Sequence, residues 1–256
     1  MWAGRTPVHN KHTKYATMKQ ARDEYRKLIE KLYTSKRDYP ESNVCIFNAK
    51  RGRHYANKLM VVGRAVNGWG DPTKNIIKQE NEDPSAFTES ILDYLEAQTM
   101  NYKEQMVAPS EGYNNNNSAF TRLKRSIAAK LIPCQKSEAN CNIVWSNLYK
   151  VSPSRNGNPS GKLIKLQFDS CVNILKMEIE HYKPEIIIFL TSYQKQWWAK
   201  PFLDRLQVKN ILPKPIGFVE FAGVYNNSKV VVGQHPQGKN ETIHLNNIIE
   251  ALSLIR

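Results

Sequence analysis

Apolar residues along this chain fall into two rhythms. Near the start, Met18, Ala21, Tyr25, Leu28, Ile29 and Leu32 recur three or four positions apart, with lysines and arginines crowding the other face. That spacing predicts an amphipathic helix over 17–34. The second rhythm is a short unbroken apolar run: "LMVVG" (59–63), "NIVWSNL" (142–148) and "IIIFL" (186–190). Runs of this length, without alternation, predict strands buried on both faces, as in a parallel sheet. "FVEF" (218–221) and "KVVV" (229–232) add two more strands, joined by a Tyr-Asn-Asn-Ser turn. Between the strands the helical spacing returns. It predicts helices near 85–99 (Phe87, Ile91, Leu92, Leu95), after Ser118 (Phe120, Leu123, Ile127, Leu131), around 168–182 (Phe168, Val172, Leu175, Ile179, Tyr182), and at the end (Leu245, Ile248, Ile249, Leu252, Ile255). Ser118 is placed to cap the second of these and Pro184 to stop the third.

Strands alternating with helices imply an α/β fold: three layers, α/β/α, around a mostly parallel sheet of about four strands. "GYNNNN" (112–117) and "SPSRNGNPSG" (152–161) read as loops. No internal repeat or linker divides the chain, so residues 51–256 are expected to form one domain. Residues 1–50 then make a basic N-terminal extension carrying one amphipathic helix.

Composition changes the picture in one direction. The 256 residues carry a formal net charge of +14. A balance this basic points to a polyanionic partner, most simply nucleic acid, against a solvated basic surface as the plain alternative. No apolar run approaches the roughly 20 residues of a membrane span, and the first residues lack the apolar stretch of a signal peptide. A cytoplasmic protein with no membrane partner is therefore expected. Cys45, Cys134, Cys141 and Cys171 form no Cys-x-x-Cys pair, so they read as buried thiols and not as metal ligands.

Three strand ends are more polar than packing demands. They are "GRAVNGWGDP" (63–72), Asn147 within "VWSNLYKVSPS", and "GQHPQGKN" (233–240). In open parallel sheets ligands bind beyond the carboxyl ends of the strands. Asn147 offers a donor and an acceptor to a planar ligand, His235 a neutral donor or a cation, and Trp69 a stacking face. Each has a structural alternative: a strand-end cap, a turn histidine and a core tryptophan.

In this order the segments resemble the uracil-DNA glycosylase superfamily from about residue 59 onward. "IVWSNLYKVSPSRNGNPS" is similar to the segment carrying that family's base-reading asparagine, which maps to Asn147. "HPQGKN" resembles its His-Pro-Ser motif, with His235 as the catalytic histidine. The Lys-Asn ending is closest to the single-strand-selective monofunctional uracil glycosylases. The resemblance implies a DNA glycosylase that flips a damaged pyrimidine, most simply uracil, from single-stranded or mispaired DNA and hydrolyses its N-glycosidic bond. No metal or organic cofactor is implied. Gly63, Trp69, Asn147 and Gln234 would line the base site. Arg155, Lys239 and Asn240 would contact DNA, with Lys239 on a phosphate or in the vacated stack. Lys50, Arg51 and Arg53 are further candidates for the backbone.

One position departs from the family. Two residues after the first-motif glycine the family has Asp or Asn, which positions the hydrolytic water; here Gly63 is followed by Arg64 and Ala65. Asn67, ahead of Asp71, is the expected substitute, because an amide is isosteric with the family's group. The competing expectation is a weak or inactive member that binds DNA or a modified base without cleaving it. A hydrolase acting on another N-glycoside or a free nucleotide, its basic surface incidental, is a third.

Overall fold

The computed structural model describes residues 11–35, 40, 43–65, 76–78, 86, 88–93, 118–154, 157–193 and 197–256. The predicted buried runs are strands: β3 (Leu59–Gly63), β5 (Ile143–Asn147), β7 (Ile186–Leu190) and β9 (Ser228–Gly233). These four are mutually parallel, in the order β5-β3-β7-β9. Two antiparallel strands border them. The short β2 (Lys50–Arg51) pairs with β5, and β8 (Val219–Tyr225) forms the expected hairpin with β9.

Helices cover both faces. α3 (Gly161–Tyr182) and α4 (Ala199–Arg205) pack Cys171, Leu175 and Phe202 against Met60, Val62, Ile187, Phe189, Val230 and Val232. α2 (Ala119–Leu131) and α5 (Glu241–Leu254) pack Leu123, Ile127, Ile248 and Ala251 against Leu59, Val61, Ile188, Leu190 and Val231. Odd and even residues of one strand thus serve opposite layers, which is why these strands are apolar throughout. The fold is the expected three-layer α/β/α. Its helices start on side-chain caps: Ser118 accepts from the Thr121 amide at 3.1 Å, and Ser160 from the Leu163 amide at 3.2 Å. α3 ends with Lys183 in the left-handed region (φ 46°) just before Pro184.

A second sheet is not foreshadowed by the pattern. β1 (Asn43–Ile46) lies between β4 (Ile76–Lys78) and β6 (Val151–Pro153), antiparallel to both. Strands of three or four residues carry too little periodicity to be read alone. This sheet ties the segment before residue 50 to the domain, and α1 (Lys11–Thr34) does the same by packing. Tyr25, Leu28, Ile29 and Leu32 share a core cluster with Val44, Val151, Leu163 and Ile174. Of the helix expected near 85–99, residues 86 and 88–93 are described and helical. No helix among the described residues is long and apolar enough to cross a membrane.

Candidate active site

The parallel register aligns Asn147, Gly63, Leu190 and Gly233 in one row at the carboxyl ends of β5, β3, β7 and β9. At about 4.8 Å per strand, the row runs roughly 14 Å from Asn147 to Gly233. The chain passes from β3 through α2 on one face to β5, then through α3 on the other face to β7. The strand order therefore reverses at β3, and the connections leaving β3 and β7 depart to opposite faces. That is the topological switch point, where open α/β sheets hold their ligands.

Asn147 is 2% exposed, and its Nδ2 has no hydrogen-bond partner among the described residues. An orphaned buried amide costs about 1–3 kcal/mol, so this one is a donor that a ligand would satisfy. Its position is tightly set. A Cβ on Gly63 would stand 2.4 Å from the Asn147 side-chain oxygen and 3.2 Å from the Phe120 ring, so glycine leaves the space that both occupy. The next residues are clamped to the neighbouring strand: Leu148 N–H donates to Gly63 O (2.9 Å) and Tyr149 N–H to Arg64 O (3.0 Å). Gln167 then holds Val151 through both its backbone groups, at 2.9 and 2.8 Å. On the α3 side, Lys150 donates to Glu178 at 2.8 Å and to Ser146 at 2.7 Å, while Ser146 donates to Glu178 at 2.6 Å.

The α2 side of β5 carries a cation without a counter-charge among the described residues. Lys124 Nζ stands 4.2 Å from the Trp145 ring centroid and 5.6 Å from that of Phe120. Burial, reinforced by Arg125 and Lys50, pushes its pKa down to about 7. Desolvation of an ion costs several kcal/mol, and the two rings return about 2 kcal/mol. The downward shift follows from that imbalance. Lys50 is drawn to about 8 by burial.

At the switch point, Arg64 reaches from the end of β3 to the end of β7. Its Nε donates to Thr191 O at 2.9 Å and its Nη2 to Ser192 Oγ at 3.3 Å, with the guanidinium 4.6 Å from the Trp198 ring centroid. Burial lowers its pKa, and the more distant Glu220 only partly opposes this. Ser192 itself is strained, with φ of 71°. Such conformations in non-glycine residues gather at functional sites.

His235 follows the row on the β9 side. Its backbone N–H donates to the same Ser192 Oγ at 3.1 Å, and its Nδ1 accepts the Gln237 N–H at 3.4 Å. An accepting Nδ1 puts the neutral ring's proton on Nε2, making that nitrogen a donor. Gln234 is tied to Glu220 (3.4 Å), whose other oxygen accepts the Tyr193 N–H at 2.6 Å. Asn240 caps α5 by accepting the Ile243 amide at 3.1 Å, so its oxygen serves the fold. Lys239 is exposed, 5.7 Å from the Phe218 ring centroid. Beneath this loop His244 is fully buried with both ring nitrogens unpartnered among the described residues, and burial beside Lys239 holds its pKa near 4. It fills the space a side chain on Gly233 would need: a Cβ there would stand 2.6 Å from His244 Nε2.

The fold thus gathers Gly63, Asn147, Gln234 and His235 along one end of the sheet. Asn67, Trp69 and Arg155 lie outside the described residues. Arg51 and Arg53 are exposed next to β2, at the far edge of the sheet. The site contains side chains that sequence reading passed over: Phe120 and Lys124 on α2, Arg64, and Ser192. Lys124 carried a usable signal, since it falls four residues after Phe120 and three before Ile127, within an apolar stripe. No protein-family model matches this sequence, and no curated protein matches it.

Proposed function

We propose that this protein is a DNA glycosylase that flips a damaged pyrimidine, most simply uracil, out of single-stranded or mispaired DNA. It would hydrolyse the N-glycosidic bond without a metal or organic cofactor, as in base excision repair. The observation that carries the reading is the unpartnered, buried Asn147 amide in one row with the His235 loop. A planar base with a hydrogen bond at each edge suits that span. Asn147 pairs with the pyrimidine edge, and a site built around such a bond rejects bases that cannot make it. When the C1′–N1 bond breaks, its electron pair goes to the base. The His235 Nε2–H donates toward the oxygen on which that charge gathers. Lys239 is exposed and free to approach the phosphates.

A second reading has its own support. Ala65 stands where the water-positioning group is expected and packs against the apolar core. A protein of this build would bind DNA or a modified base without cleaving it.

Labelled oligonucleotides carrying one uracil, single-stranded or mispaired, separate the two. After incubation, alkali cleaves any abasic site. Strand scission that disappears in Asn147→Ala and His235→Ala is the expected result. Tight binding with no scission would move the assignment to the second reading, and no affinity for DNA at low salt would end both.

A further inference from the structure

The motif position that lacks a carboxylate is next to a guanidinium that, among the described residues, pairs with no carboxylate. Among the described residues, Arg64 bonds to a carbonyl and a hydroxyl, and Glu220, the acid acting on it there, is engaged by Tyr193 and Gln234. A half-buried cation is normally paired. Here it lies in the ligand crevice of the fold, held in place by Thr191, Ser192 and the Trp198 ring. Ser192 Oγ also takes the His235 amide, so the guanidinium and the His235 loop meet at one oxygen. Five N–H donors serve a guanidinium, and the described residues use two.

We propose that Arg64 binds the negative charge that develops on the departing base, an assignment that rests on the glycosylase reading above. The C1′–N1 electron pair leaves with the base, and Arg64 shares the resulting oxyanion with His235. Water bonds to C1′, and its proton ends on the base nitrogen. Arg64 stays protonated throughout, and no co-reactant is needed. The site then relies on leaving-group stabilisation where its relatives by resemblance also fix the water. That division of labour suits a pocket with Ala65 in place of a polar group.

The test uses the full chain and its Arg64→Gln and Arg64→Lys variants. Three quantities are measured: single-turnover excision from a single-stranded uracil oligonucleotide, affinity for the same strand without uracil across a salt series, and binding of free uracil at neutral and alkaline pH. Removing one such donor lowers the rate about 100-fold. The expected result for Arg64→Gln is that loss, with unchanged affinity and salt slope, and with the tighter binding of ionised uracil abolished. Arg64→Lys keeps the charge and regains part of the rate. An unchanged rate overturns the assignment. So does weaker DNA binding with a salt slope lower by about one and an unaltered saturated rate, which marks a phosphate contact. If the parent chain excises nothing yet binds ionised uracil through Arg64, the glycosylase reading fails and the anion site stands; if uracil binding ignores Arg64 as well, both fall. Thermal unfolding of each variant separates loss of fold from loss of function, and Arg64→Lys decides the matter if Arg64→Gln does not fold.

Discussion

Strand β5 has two faces that treat polar groups in opposite ways. Toward α3, Ser146, Lys150 and Glu178 form a closed set in which every partner is supplied by the protein. Toward α2, Trp145 and Asn147 sit with Lys124 and Phe120, and there, among the described residues, the Asn147 Nδ2 has no partner and Lys124 meets aromatic rings and no acid. Asn147 and Lys124 are as buried as Ser146, Lys150 and Glu178, so burial does not separate the polar groups of the two faces. Completeness does. A satisfied network holds a structure in one arrangement. An incomplete one stores a demand that a ligand can meet, and here it adjoins the crevice at the switch point. The α3 face fixes the strand that carries Asn147, and the α2 face leaves its amide open to the ligand proposed above.

The largest effect belongs to the complete face. Glu178→Gln leaves Lys150 buried opposite a neutral group, and breaking a buried pair costs about 3–5 kcal/mol. Urea unfolding should show a midpoint lowered to match; a loss under 1 kcal/mol would mean that the pair is not closed as described.

On the incomplete face the sign reverses. Lys124→Met removes an unpaired buried cation and should stabilise the protein by about 2 kcal/mol at pH 6. The gain has a defined pH dependence. With the folded pKa at about 7 and the unfolded one near 10.4, the unfolded chain binds more protons between those values. Parent stability therefore rises with pH across that window, and the advantage of Lys124→Met shrinks from pH 7 upward. Paired thermal melts from pH 6 to 10 check this; an advantage that grows with pH would contradict the assignment of Lys124 as unpaired.

The smallest stability change is expected at Asn147. Replacing it with the similarly shaped leucine removes an unsatisfied donor, so Asn147→Leu should be neutral or stabilising by up to about 1 kcal/mol. Uracil excision should nevertheless vanish. A destabilisation of several kcal/mol would show instead that the amide serves the fold, and the contrast between the two faces would lose its meaning.

Much of this molecule was readable along the chain. Ser118 announced a helix by its side-chain oxygen, Pro184 ended another, and Leu59–Gly63 and Ile186–Leu190 declared burial on both faces by having no polar residue. Asn147 and His235 stood out because a strand end seldom needs an amide or an imidazole for packing. The second sheet was not readable, since β1, β4 and β6 are three or four residues long. Lys124 breaks an apolar helical stripe, which marks it as a buried cation but does not say that Trp145 faces it.

What the sequence by itself determined is therefore local: where helices begin and stop, which strands are buried on both faces, and which side chains have no structural reason to be polar. Such properties depend on capping, spacing and solvation within a few neighbouring residues. Only the tertiary structure decided that β3 lies between β5 and β7, that Arg64 crosses to Ser192, and that Lys150 finds Glu178 while Lys124 finds no acid. Strand order and charge pairing join residues tens to more than a hundred positions apart, and their energies exist only after the chain has closed on itself.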